Sequence, residues 1–387
     1  MPKSPRVKPR RTPPWARWCT GLGALLMVVS GGSLVGAKVL VSSATGAVPQ
    51  TNLLGAVRGT TERKHADVTG AKNILLVGLD TRPSWADTGE LSRSDSIMLL
   101  HVPADRSAAY EISLPRDAMV SIPAYNNGKR QYNGGSNKIN SAFAFGSQGL
   151  TGTAAEQHGF ELLALTIKKL TGITPDAGAI VDYTGFKQVI QVLGHVCMYV
   201  DEDVTSIHVG HTADGKTAVP YKTNAAGLNP RRIAGVTPNF YKKGNHCFNA
   251  TEALDYARQR DLLSLGDSDY GRQRHQQQLL KAIMKQAVHD GLNSPTKLPG
   301  LLNAIGKAIT VDNGGVSLED WAFAMRNINP DDMITIKTNG GRFNSRSVAG
   351  IGSVEILDPT SMALLKSARN DTMAAFVQAN PTWVAQS

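Results

Sequence analysis

The sequence is poor in the residues and patterns that usually announce chemistry. Its 387 residues hold three cysteines, none at a metal-site spacing or in a catalytic signature. There is no P-loop, no nucleophile elbow and no Cys/His nucleophile pairing, so nucleotide hydrolysis and covalent acyl transfer lack their markers. No internal repeat or low-complexity segment occurs. The first 17 residues contain no acid, while Lys3, Arg6, Lys8, Arg10, Arg11 and Arg17 supply six of the chain's ten net positive charges. The rest carries only +4, too little for a basic nucleic-acid domain, and no helix-turn-helix pattern appears. The expectation is no nucleic-acid partner.

What is present begins with WCTGLGALLMVVSGGSLVGA, an uncharged run from Trp18 to Ala37. About 20 apolar residues suffice to cross a bilayer as a helix. The basic flank predicts a cytoplasmic tail (1–17), a single transmembrane helix (18–41) and an exterior remainder in the cell membrane. A cleaved signal peptide is the competing reading, but the apolar run is longer than a usual signal core. Residues 42–70, rich in Ser, Thr, Gly and Ala, read as a linker. Cys197 and Cys247 lie in the exterior portion, where oxidising conditions let them pair; two buried thiols are the alternative.

From residue 71 onward the chain reads as an α/β layered domain with a C-terminal extension, reaching residue 387. Asn73–Leu79, Ser96–Val102 and Ala109–Leu114 are apolar, strand-length runs ending at turn residues. Phe160–Leu170 and Phe186–Leu193 carry helical periodicity. Polar, Gly-rich sequence from Val204 to Gly244 reads as an excursion of hairpin and loop. Asn249 is placed to cap one helix, and a second follows Tyr270.

If the first three strands run up, down and up, Asp80, Asp95, Arg116 and Asp117 meet on one edge of a central mixed sheet. Carboxylates with an arginine suit a Mg²⁺-assisted phosphate site. The alternative, ordinary turn residues and surface ion pairs, fits each residue singly better than it fits the set. On the helix after Tyr270, Arg272, Gln273 and Gln276 continue the apolar face of Leu279, Leu280 and Ile283, whereas Arg274 points away and reads as solvated. Arg272 at the first turn is a good anion ligand. Arg258 and Arg260 share a face only if the chain is already extended between them. His208 and His211 read as surface residues, and the Asp267-x-Asp269 spacing is too common to weigh.

These residues carry a resemblance to the LytR-CpsA-Psr family, of the actinobacterial type. The matching pieces are NILLVGLDTR, RSDSIMLLHV, SLPRD, KINSAF, LTGI followed by DYTGF, EALDYARQR and DYGRQRHQQQ, in family order, with SVEILDPTSMALLKSARND resembling family tails. The resemblance implies an extracytoplasmic phosphotransferase that moves a glycopolymer from a polyprenyl-pyrophosphate carrier to peptidoglycan with Mg²⁺. By motif match it implies Asp80 and Asp95 as metal carboxylates. Arg116, Arg258, Arg260 and Arg272 become pyrophosphate ligands, with Lys138 and Gln276 as further contacts. An apolar tunnel for the polyprenyl chain is also implied. Asp95 or Asp117 is expected to take the proton of the attacking hydroxyl. One departure stands out: a second family arginine is replaced by His275, so that either His275 donates in its place or Arg274 reaches back. The alternatives are a polyprenyl-pyrophosphate hydrolase and a non-catalytic protein that binds or senses lipid-linked polymer.

Overall fold

The computed structural model describes residues 50–58, 68–80, 92–224, 229–293, 309–325, 328 and 332–385. The basic tail and the Trp18–Ala37 run lie outside the described residues. Among those described, no helix is long and apolar enough to cross a membrane.

The three expected strands form: β1 (Lys72–Asp80), β2 (Arg93–Val102) and β3 (Ala109–Leu114). They are antiparallel neighbours, Leu75 facing Leu99 and Leu99 facing Ile112. On one side β1 takes up β4 (Ala177–Asp182) in parallel, followed by antiparallel β9 (Ile309–Asp312). On the other, β3 pairs in parallel with β10 (Met333–Lys337). The six-stranded order β9-β4-β1-β2-β3-β10 is therefore a mixed sheet. All six residues of β3 are buried, as expected of a central strand covered on both faces.

One face is covered by α1 (Asn140–Ser147) and α2 (Gly152–Thr171), whose Phe143, Phe160, Leu163 and Ile167 pack with Leu75, Leu99 and Ile112. The other carries α3 (Tyr183–Leu193), α4 (Ala250–Arg258) and α5 (Ser268–Asn293), with Ile190, Ala253, Tyr256 and Leu279 in a second core. Helix α4 starts where its cap predicts: Asn249 accepts from the Thr251 and Glu252 amides, and Glu252 accepts from the Asn249 amide.

The linker reading of 42–70 is corrected over its described part. Leu53, Leu54 and Val57 are fully buried in the first core. The Thr51 amide donates to the Val311 carbonyl at 2.9 Å and the Leu54 amide to Asp312 Oδ2 at 2.9 Å. Three apolar residues in a polar stretch are too few to show a period, so only the partner across the fold reveals them.

The excursion is β-rich as expected. Strand β6 (Val204–Thr212) pairs with β7 (Val236–Tyr241), while β5 (Val196–Val200) pairs with β8 (Gly244–Phe248). Cys197 faces Cys247 in that second pair, and their sulfurs are bonded. Near the C-terminus, β11 (Ser345–Val348) and β12 (Gly352–Glu355) form a hairpin followed by α6 (Pro359–Arg369).

Candidate active site

The register of β1 to β3 puts the end of β1, the start of β2 and the residues just after β3 on one edge of the sheet. Asp80 and Arg93 are backbone partners, and Ile97 faces Leu114. The Asp80 side chain lies outside the described residues. Arg116 Nη1 donates to Asp95 Oδ2 at 2.9 Å, and its Nε lies 3.7 Å from both Asp117 and Asp269. Lys138 arrives through a short strand pair that sets it opposite Met119. Its Nζ is 2.9 Å from Asp117 Oδ1.

Helix α5 supplies the other wall. Arg272 is 5% exposed; its Nη2 is 2.7 Å from Asp269 Oδ1 and donates to the Asp95 carbonyl at 3.3 Å. Its Nη1 lies 4.0 Å from Asp95 Oδ2. Because α5 begins at Ser268, Arg272 falls in the second turn, so the argument from free first-turn amides does not apply to it. Asp269, dismissed in the sequence as part of a common spacing, joins the two arginines. Burial works against its charge, but Arg272 and Arg116 outweigh burial and hold its carboxyl below the ordinary carboxylate value. Burial likewise opposes the charge of Arg116, and Asp95, Asp269 and Asp117 more than offset it. Several polar atoms here are buried without a hydrogen-bond partner: Nε of Arg116, Nε of Arg272 and Oε1 of Gln276. Buried donors left unmatched are costly unless a ligand or water meets them.

Between Arg258 and Arg260 the chain is extended, with Gln259 at φ −69° and ψ 136°. Gln259 is fully buried; its Oε1 accepts from the Ile207 amide at 3.0 Å and its Nε2 donates to the Asp255 carbonyl at 2.9 Å. This anchor fixes the turn, yet the two arginines do not line one cavity. Arg258 lines an apolar cavity of about 200 Å³ with Leu76, Met98, Val181, Phe186, Leu254 and Leu280, whose wall Asp95 and Gln276 also join. Arg260 lines a polar pocket of about 300 Å³ with Arg116, Asp117, Asp269, Gln273 and residues of the C-terminal hairpin. The two cavities share no lining residue and meet at the arginine–aspartate cluster.

Arg274 is not solvated. It is 3% exposed, and its guanidinium meets Asp201, Glu202 and Asp267, with Nε 2.6 Å from Asp201 Oδ2. His275 is fully buried, lies 3.2 Å from Glu202 Oε1 through Nε2, and stacks on Tyr256 with ring centroids 4.3 Å apart. Neither reaches the cluster, so both readings of the missing family arginine are corrected. Gln273 is buried, in keeping with its place on the continuation of the apolar face, and so is Gln277, whose Nε2 donates to Ser113 Oγ at 2.6 Å. Gly271 makes this packing possible, because a β-carbon there would collide with the Asp267 carboxylate and Leu263. His208 and His211 are exposed, as expected.

Residues 39–368 match the model of the LytR_cpsA_psr family. The cell wall biosynthesis protein LcpA of Corynebacterium glutamicum is 30% identical over 319 residues, covering 76% of this chain and 54% of that protein. The chain thus spans about half the length of this relative. The polyisoprenyl-teichoic acid–peptidoglycan teichoic acid transferase TagT of Bacillus subtilis is 24% identical over 315 residues, covering 81% of this chain and 82% of TagT. A solved structure of TagT bound to LI-WTA superposes with a TM-score of 0.52 at 21% identity, covering 84% of this chain and 99% of that one, which shows a shared fold. With its motifs ordered along a mixed sheet and the family model matched from residue 39 to 368, this chain belongs to the LytR_cpsA_psr family.

Proposed function

We propose that the protein is a membrane-anchored phosphotransferase that attaches a glycopolymer, carried on polyprenyl pyrophosphate, to peptidoglycan. The observation that carries this reading is one juxtaposition: an apolar cavity has Asp95, Arg258 and Gln276 in its wall, and Arg116 and Arg272 gather on Asp95 behind it. A ligand with an isoprenoid tail and a pyrophosphate head satisfies both parts. The tail removes apolar surface from water while the head meets the arginines. The name of TagT, a polyisoprenyl-teichoic acid–peptidoglycan transferase, supports the same direction.

Mg²⁺ fits the donor set by chemistry. Asp95, with Asp80 at the end of the adjacent strand, offers the hard carboxylate oxygens such an ion takes, and among the described residues the cluster contains no sulfur or imidazole ligand. When bound, the ion would help neutralise charge on the pyrophosphate.

Arg116 and Arg272 then hold the phosphoryl oxygens and stabilise charge as it shifts to the departing polyprenyl phosphate. Arg258 and Gln276, in the wall of the apolar cavity, orient the leaving side, and Arg260 and Lys138 stand on the polar side. Of the two candidate bases, Asp95 lines the apolar cavity whereas Asp117 lines the polar pocket. Asp117 is therefore assigned the proton of the attacking hydroxyl. The hydroxyl oxygen forms the new P–O bond, and the old one breaks with its electron pair leaving on polyprenyl phosphate.

The test is transfer from a polyprenyl-pyrophosphate-linked glycopolymer to peptidoglycan by the full-length protein, read by mass spectrometry. Arg116→Ala and Arg272→Ala are each expected to lower product formation by about 10²–10³; undiminished transfer by both sinks the proposal. Product formed equally without peptidoglycan would identify a hydrolase. Lipid binding with no turnover under any condition would identify a binding or regulatory protein.

A further inference from the structure

The polar pocket beyond Arg116 has a wall that the transfer reading does not use. It comes from the C-terminal hairpin: Phe343, Ser345, Ser353 and Val354 face Arg116, Asp117, Asp261 and Gln273 across about 300 Å³. The wall is fixed firmly to the site. The Glu355 amide donates to the Asp117 carbonyl at 2.9 Å, so the second hairpin strand is tied to the residue assigned as base. The Glu355 carboxylate, 4% exposed, accepts from Tyr270 Oη at 3.1 Å, from Asn339 Nδ2 at 3.0 Å and from Ser345 Oγ at 2.9 Å. A buried carboxylate with this many donors holds its partners in one arrangement.

Phe343 is unusual in this setting. It is 52% exposed, one of the few large apolar side chains left so open, and it packs edge-on against Tyr270 with centroids 5.0 Å apart. An aromatic ring packed on Tyr270 at the lip of a pocket lined with hydroxyls, an amide and carboxylates matches the two surfaces of a pyranose. The C–H face of the sugar lies on the ring, and its hydroxyls meet the polar groups.

We infer that this pocket is the acceptor subsite, binding a saccharide of the glycan acceptor with Phe343 as its platform and Ser353, Asp261 and Gln273 as hydrogen-bonding partners. The inference rests on the transfer reading for its direction. In phosphoryl transfer the attacking and leaving oxygens lie roughly in line across phosphorus. If the leaving polyprenyl phosphate occupies the apolar cavity, the acceptor must approach through the other opening of the cluster. The polar pocket is that opening, and Asp117 lies in its wall.

The experiment measures two bindings separately on the full-length protein in detergent. One probe is a soluble, uncrosslinked peptidoglycan glycan strand, titrated without donor; the other is polyprenyl phosphate. Phe343→Ala is expected to weaken glycan binding about tenfold, the scale of one aromatic contact, and to leave polyprenyl phosphate binding unchanged. Phe343→Trp, which restores a platform, should recover glycan binding, and this separates loss of contact from misfolding of the hairpin. In the transfer assay Phe343→Ala should raise the acceptor KM with little change in kcat. Glycan binding equal in wild type and Phe343→Ala overturns the inference while leaving the transfer reading intact. A Phe343-dependent glycan affinity in a protein that neither binds polyprenyl phosphate nor transfers polymer keeps the saccharide subsite and overturns the transfer reading instead.

Discussion

Arg272 and Arg274 stand two residues apart on α5, both buried and both among aspartates, yet their surroundings differ in kind. Around Arg274, three carboxylates from Asp201, Glu202 and Asp267 converge on one guanidinium, with His275 beside Glu202. Around Arg272, three cations (Arg116, Arg272 and Lys138) face three carboxylates (Asp95, Asp117 and Asp269), and the cluster opens onto two cavities. The first arrangement is over-supplied with negative charge, so its arginine is consumed by the protein even though it also lines a cavity of about 440 Å³ with Gln277, Gln278 and Lys281. The second balances its cations against its carboxylates and borders the polar pocket through Arg116 and the apolar cavity through Asp95, so an anionic ligand can draw on its arginines. Burial of an arginine does not separate structure from function, and neither does an unmatched nitrogen, since Nε of Arg274 lacks a hydrogen-bond partner just as Nε of Arg272 does; the balance of carboxylates against cations around it does.

The strongest way to break this distinction is to remove each arginine in turn. Arg274→Ala leaves three carboxylates without their shared cation, and breaking a buried charge network of this kind costs about 3–5 kcal/mol. Denaturant unfolding should show that loss, and polyprenyl phosphate binding by the molecules that remain folded should be normal. Arg272→Ala should behave in the opposite way. Arg116 remains to balance Asp95 and Asp269, so stability changes less, while transfer falls by about 10²–10³, the scale of one lost charge-stabilising donor. If Arg274→Ala abolished transfer at full stability, the two clusters would have to exchange roles. A smaller effect comes from Gly271→Ala, which pushes a methyl into Asp267 and Leu263. Overpacking there should cost about 1–3 kcal/mol and act through the Arg274 cluster, lowering stability before activity.

Much of the Arg272 side was legible in the sequence because its logic is local. Three short-linked strands predict their own order, and the register then delivers Asp95, Arg116 and Asp117 to one edge. Helical phase correctly separated Arg272 from Arg274. What phase cannot state is what lies opposite: the side facing away from the apolar stripe reads as solvent in the sequence, and it is filled by residues 201–202 and 267 folded against the helix. The same limit hid Leu53, Leu54 and Val57, whose partners are far away in the chain. Asp269 was passed over because a two-residue spacing says nothing until an arginine is placed 2.7 Å from it. The C-terminal hairpin carried no signal for a pocket wall, since Phe343 and Ser353 become neighbours of Arg116 only through the tie between Glu355 and Asp117.

A third buried charge on the same helix–sheet contact sharpens the comparison by having almost no cation at all. Glu111, in the middle of β3, is fully buried, and burial raises its carboxyl from 4.5 to about 8, with Thr335 and Lys281 pulling weakly the other way. The sign of the linkage follows. Between those two values the unfolded chain has given up a proton that the native chain keeps, so raising the pH favours unfolding. Stability should therefore decline from pH 4.5 toward pH 8, at a slope approaching about 1.4 kcal/mol per pH unit. Glu202 in the Arg274 cluster behaves inversely. Burial opposes its charge, but His275, the Leu265 amide and Arg274 hold its pKa below 4.5, so its contribution is present above that value and is lost as the pH falls below it. Glu111→Gln has no proton to lose and should flatten the alkaline limb, leaving the variant more stable than wild type at pH 8 and similar at pH 4.5, while the acid limb set by Glu202 remains. Parallel stability–pH curves for wild type and Glu111→Gln would mean that the carboxyl ionises in place, drawing Lys281 in as its partner and making this contact a weaker copy of the Arg274 cluster.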